Sequence, residues 1–93
     1  MMKSDEFYKK LKITLDETTQ FPVAYLYKFI VPTQGSGIKE IESLFNNLGA
    51  VIKTKKSSKG KYTAVSIELK VPSSDFVITK YKEVAKVKGV ISL

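Results

Sequence analysis

The chain has no cysteine and no histidine among its 93 residues, and it has no arginine. The first absence excludes disulfides and thiolate metal sites. The second removes the usual general base near neutral pH and the commonest metal ligand. The third removes the bidentate fork that best recognises phosphate and guanine. All sixteen basic residues are therefore lysine, a composition that an AT-rich genome would also write. The nine acidic residues are scattered, so no carboxylate cluster stands ready for Mg²⁺ or for acid–base work. No apolar run approaches the ~20 residues of a membrane span. The opening stretch, MMKSDEFYKKLKITL, carries charge throughout and has no apolar core of a secretory signal. The cytoplasm is the expected location, with no membrane partner.

What is present is ordinary for a globular domain: 43% apolar and 27% charged residues. The length suits one domain, burying roughly 60–65% of its extended surface. The net charge of +7, spread over lysines, suits diffuse attraction of anions better than reading of a base sequence.

Residues 4–17 read as a helix. Ser4 is placed to cap, Asp5 and Glu6 sit in the first turn, and Phe7, Leu11 and Leu15 recur at i, i+4 and i+8. The segment ends before Pro22, since the residue preceding a proline leaves the helical region. VAYLYKFIV, 23–31, is a strand with odd positions forming a bulky apolar face and even positions (Ala24, Leu26, Lys28, Ile30) a second one. A loop, PTQGSG, leads to a helix carrying Ile38, Ile41, Leu44, Phe45 and Leu48, stopped by Gly49. Residues 50–55 form a weaker strand, KSSKG at 56–60 a turn, and 61–71 a strand alternating cleanly up to Pro72. Ser73 or Ser74 caps a last helix whose inner stripe is Val77, Tyr81, Val84 and Ala85. VISL is a short final strand.

The order is a helix followed by βαββαβ. This is the α+β ferredoxin-like sandwich: an antiparallel sheet of order 4-1-3-2, two helices on one face, and an extra N-terminal helix. Residues 1–20 are a helical extension and 21–93 the domain proper. The open sheet face then shows Ala24, Leu26, Lys28 and Ile30 beside Tyr62, Ala64, Ser66, Glu68 and Lys70. Leu26 and Ile30 imply a partial cover, by the N-terminal helix through Phe7 and Leu11 or by a second subunit. Phe76 and Ile78 fall off the inner stripe of their helix and read either as a wider core or as a contact surface.

Several features bear on function. KGKY at 59–62 sits where an RNA-recognition motif carries its signature, but a lysine fills the first aromatic position. Tyr62 is the one open-face aromatic, so the base-stacking platform is missing. Lys28 reads as an anion anchor or as a surface lysine paired across strands with Glu68. The glycines of GSG, 35–37, serve either a turn or an anion at a helix start. Ser57, Ser58, Lys59 and Gly60 offer hydroxyls, an amine and a permissive backbone, or simply good turn chemistry. No nucleophile–base pair assembles. No catalytic residue, cofactor or metal is expected.

Three stretches, FPVAYLYK at 21–28, SSKGKYTAVSI at 57–67 and YKEVAKVKGV at 81–90, together resemble a small bacterial family of about ninety residues labelled lipoic-acid-binding regulatory proteins. The match runs from Phe21 to Leu93, and the serine-lysine-glycine hairpin is its most specific part. The resemblance implies a fold close to the ACT domains, regulatory modules that bind small effectors, often between paired subunits. It implies no catalytic residues. In ACT domains the effector lies by the loop after the first strand, here PTQGSG, which holds no acidic residue to meet an amine.

The expectation is a non-catalytic regulatory or small-ligand-binding module, linked to lipoate metabolism by that resemblance. Phe21, Pro22, Tyr27 and Lys28 would shape one part of the site, and Ser57, Ser58, Lys59, Gly60 and Tyr62 the other. The partner would be a small carboxylate or an acidic protein, with a homodimer in view. The alternative is a protein-interaction adaptor using the lysine hairpin or the open face. Weak nucleic-acid binding comes third.

Overall fold

A computed structural model describes residues 4–93, Ser4 through its backbone alone. The cap expected of Ser4 thus lies outside the described side chains. The elements run α1 (Ser4–Thr18), β1 (Val23–Pro32), α2 (Gly37–Leu44), β2 (Val51–Lys56), β3 (Tyr62–Val71), α3 (Ser74–Val84) and β4 (Ile91–Ser92). The four antiparallel strands lie in the order β2-β3-β1-β4, the 4-1-3-2 arrangement that the sequence implies. β1 and β3 are the long central pair, in register from Val23↔Val71 to Pro32↔Tyr62.

The alternation along these strands decides which face is covered. Tyr27, Phe29 and Val31 of β1 and Val65, Ile67, Leu69 and Val71 of β3 are buried. They meet Ile41 and Phe45 of the α2 segment and Val77 and Val84 of α3. Ser73 caps α3 by accepting from the Phe76 N–H at 3.2 Å, satisfying one of the free donors of the first turn.

α1 joins this helix layer. Leu15 is buried and Leu11 half-buried, and Lys12 Nζ reaches Ser74 Oγ at 3.1 Å. The expected cover of the open face by α1 is therefore incorrect: α1 docks on α3, and Phe7 stays half exposed. Ile78 of α3 lies beside α1's Tyr8 and Lys12 and is buried there, while Phe76 is half-buried against the core. Both belong to a widened core.

Two further expectations shift. α2 ends at Leu44, not at Leu48. The Phe45 N–H turns back to Glu42 O at 3.2 Å, and Asn47 takes the left-handed region with φ 63°, where asparagine is tolerated better than most residues. Ala85, expected on the inner stripe of α3, is instead exposed at the helix's C-terminal cap.

Candidate functional site

The strand register assembles the open face row by row. Lys28 lies opposite Ser66, which lies opposite Lys53; Ile30 opposite Ala64 opposite Lys55; Leu26 opposite Glu68 opposite Val51. On the other side β4 sets Ile91 opposite Ile30. β3 thus contributes two small side chains, Ala64 and Ser66, at the middle of the face, flanked by Ile30 and Lys55 and by Lys28 and Lys53. A trough results. One recess of about 530 Å³ is lined by Lys28, Lys53, Lys55, Ala64, Ser66 and Leu93. A second, of about 300 Å³, continues along Ala64 and Lys55 to Ile30, Ser57, Ser58 and Tyr62.

The chemistry of this trough is two-sided. Lys28 and Lys53 stand on either side of Ser66 in the strand register and line the same recess, so one row of the face carries two lysines and a hydroxyl. Ile30, Ala64 and Leu93 supply an apolar floor, and the lysine stems add hydrocarbon walls. A single charge contact at 4 Å contributes about 1 kcal/mol in bulk water and about 4 kcal/mol near a protein surface. Such a cradle holds an anion with a short apolar tail better than a bare inorganic ion, which gains nothing from the floor.

The nine residues expected at a site divide into three groups. Lys28, Ser57, Ser58 and Tyr62 line the trough. Lys59 and Gly60 form the tip of the β2–β3 turn. There Gly60 N–H donates to Ser57 O at 2.9 Å and Ser57 N–H to Tyr62 O at 2.8 Å. Ser57 Oγ also accepts from Tyr62 N–H at 3.3 Å, so Ser57 organises the turn as well as facing the trough. Gly60 takes φ +73°, a region that favours glycine.

Phe21, Pro22 and Tyr27 are not brought to the trough. Phe21 and Pro22, joined by a cis peptide bond, precede the end of β1 far from the hairpin. Tyr27 points into the helix-side core, fully buried, its hydroxyl donating to Val77 O at 3.2 Å. It belongs to a tyrosine cluster in which the Tyr25 and Tyr81 hydroxyls meet at 2.9 Å. Burial pushes the Tyr27 and Tyr81 phenols well above their ordinary range, so both stay neutral donors.

Lys28 and Glu68 do not face each other: Glu68 is opposite Leu26. The lysine is thus free of the direct cross-strand pair that the alternation had suggested. Lys53 and Lys55 line the trough and are absent from the nine residues expected at a site. Their odd spacing in β2 was visible, but only the β2–β3 register puts them on the same face as Lys28.

The loop after β1 forms a separate recess of about 390 Å³ with Gln34, Ser36, Gly37, Glu40 and Lys88 among its lining. The acidic residue missing from the loop itself comes from α2. Glu40 accepts from Ser36 Oγ at 2.7 Å and is thereby occupied. Among the described residues no group of three or more acidic, histidine or cysteine side chains could hold a metal ion, and no helix is long and apolar enough to cross a membrane.

Comparison with known proteins fits this architecture. A family model described as "Protein of unknown function (DUF493)" matches residues 16–93. A UPF0250 protein of Haemophilus influenzae is 36% identical over 99 aligned positions, covering 96% of each chain. One from Shewanella putrefaciens is 31% identical over 90, covering 86% of this chain and 94% of its own. Among solved structures, the ACT domain from GTP pyrophosphokinase of Chlorobium tepidum superposes with a TM-score of 0.54 at 16% identity. That match covers 76% of this chain and all of that domain, and it shows a shared fold.

Proposed function

Because this chain belongs to the DUF493 family, is similar to UPF0250 proteins, and carries an ACT-like fold, we propose that it is a non-catalytic regulatory module. Its ligand is a small carboxylate held on the open sheet face. The observation that carries this reading is the row Lys28–Ser66–Lys53 above an apolar floor. The carboxylate seats between the two ammonium groups and accepts from Ser66. The tail lies along Ile30 and Ala64 toward the hairpin. An open site of this kind supports an affinity in the millimolar to micromolar range, about −4 to −8 kcal/mol. Lipoate, the acid in the resembled family's label, has this chemistry, as does octanoate.

The test is a thermal-shift and chemical-shift titration against lipoate, octanoate, acetate and a set of amino acids. The amide signals of Ser66 and Lys53 should move with the longer monocarboxylates, and acetate should bind much more weakly. Lys53→Ser should weaken binding by about tenfold, the loss of one charge contact of about 1.4 kcal/mol. A flat response across the panel would remove the small-ligand reading.

A further inference from the structure

The two outer edges of the sheet are not alike. β2 is an edge strand with five of its six residues exposed, and it carries Lys53, Lys55 and Lys56, a usual way to discourage pairing at an edge. β1 is a central strand on one side and an edge on much of the other. β3 accompanies it along all ten residues, whereas β4 meets it only at Phe29 and Ile30, with Leu93 N–H adding a bond to Lys28 O at 2.9 Å. From Val23 to Tyr27 the outer edge of β1 pairs with no strand among the described residues.

The direction of the free groups follows from two hydrogen bonds. Thr33 N–H donates to Lys61 O on the β3 side, and Lys28 O accepts on the β4 side. Backbone groups alternate in an antiparallel ladder. Odd residues of β1 therefore turn to β3, and even residues turn outward. Ala24 and Leu26 each present an N–H and a C=O at the open edge. Above these groups, on the helix side, Val23 and Tyr25 are half-buried and offer an apolar shelf. Below, on the open face, Leu26 is 51% exposed. Lys28 lies next along that face, and Lys70 lies opposite Ala24.

We infer that the Val23–Tyr27 edge of β1 is a strand-addition site for an extended acidic segment of another protein. The partner strand runs antiparallel to β1 and exchanges main-chain bonds with Ala24 and Leu26. Its apolar residues alternate toward Val23 and Tyr25, and its acidic residues toward Lys28 and Lys70. Charge selects this occupant over a second copy: two chains of net charge +7 repel, and an acidic strand is attracted. The surface is distinct from the trough, sharing only Lys28 with it.

The probe is an acetylated, amidated nonapeptide of alternating Glu and Val with Thr at each end. In the free protein the amides of Ala24 and Leu26 should exchange freely while those of Tyr25 and Tyr27 are protected. The peptide should slow Ala24 and Leu26 by at least about tenfold. Ala24→Pro removes an outward N–H and costs no bond to β3, so it should fold with an unchanged amide spectrum elsewhere and lose that protection. A version with Lys in place of Glu should not bind. The inference is overturned by protection that falls on β2, by equal binding of Ala24→Pro, by equal binding of the lysine peptide, or by no protection at all. A dimer that already protects Ala24 and Leu26 without peptide overturns it as well.

Discussion

Tyr27 packs its ring at centroid distances of 4.9 Å from Tyr81 and 5.2 Å from Phe45, and its hydroxyl is fully inside the core. Its place in a conspicuous FPVAYLYK motif comes from packing. Tyr27→Phe should cost about 1 kcal/mol, one hydrogen bond to a helix carbonyl. Tyr27→Ala should cost about 3–5 kcal/mol through lost burial and a cavity. Urea denaturation of both separates these terms, and Tyr27→Phe should leave carboxylate binding unchanged. Asp16 shows residue-scale electrostatics at the α1–α3 contact. It accepts from Ser74 Oγ at 2.5 Å and from Lys12 Nζ at 3.0 Å. These bonds, the Ser74 hydroxyl foremost, hold its carboxyl below the usual carboxylate value. A group with a depressed folded pKa contributes stability above its unfolded pKa, near 3.8, and that contribution fades as pH falls through the folded value. Asp16→Asn should flatten the acid limb of the stability profile below about pH 4, read by thermal melts from pH 2 to 6. An unchanged limb would mean that the contact adds nothing to stability.

At the scale of elements, Lys80 ties two helices together. Its Nζ donates to Leu44 O at 2.6 Å, at the C-terminal end of α2 where a cation meets unpaired carbonyls. It also lies 3.0 Å from Glu83 Oε1, an oxygen that makes no hydrogen bond of its own, and over the Phe45 and Phe76 rings. Lys80→Met keeps the stem and removes the charge, so it should cost about 2 kcal/mol by denaturant titration, with α2 amides losing most protection. This contact also explains what the sequence left hidden. The alternation in β1 and β3 and the serine before α3 made the central strands, the sheet order and the α3 start legible. The end of α2 was not legible, because Leu48 continues the helical spacing while Asn47 breaks the backbone and Lys80, thirty-six residues away from Leu44, closes the end. Lys53 and Lys55 were hidden for the same reason. Local pattern gives a strand its two faces, but register against a distant strand decides which neighbours a lysine shares.

At the scale of the whole molecule, the positive charge is unevenly balanced on the open face, where Lys28, Lys53, Lys55 and Lys70 share the sheet surface with one carboxylate, Glu68. Lys28 and Lys53 stand two strand spacings apart, about 10 Å, a separation at which like charges in water repel by about 0.4 kcal/mol. Such a cluster lowers stability in the empty state and is relieved when an anion sits between the lysines. Lys53→Ser should therefore raise the melting temperature of the free protein at low salt by about 1–2 °C while weakening carboxylate binding. The gain should shrink as salt is added and vanish near 1 M, where the Debye length is about 3 Å. A residue kept for packing would behave in the opposite way, losing stability at every salt concentration. If Lys53→Ser melts lower at low salt, attraction between Lys53 and Glu68 outweighs the repulsion, and the trough is a balanced surface with no standing demand for an anion. If it melts higher and binds more weakly, the face trades stability for ligand affinity, as binding sites commonly do.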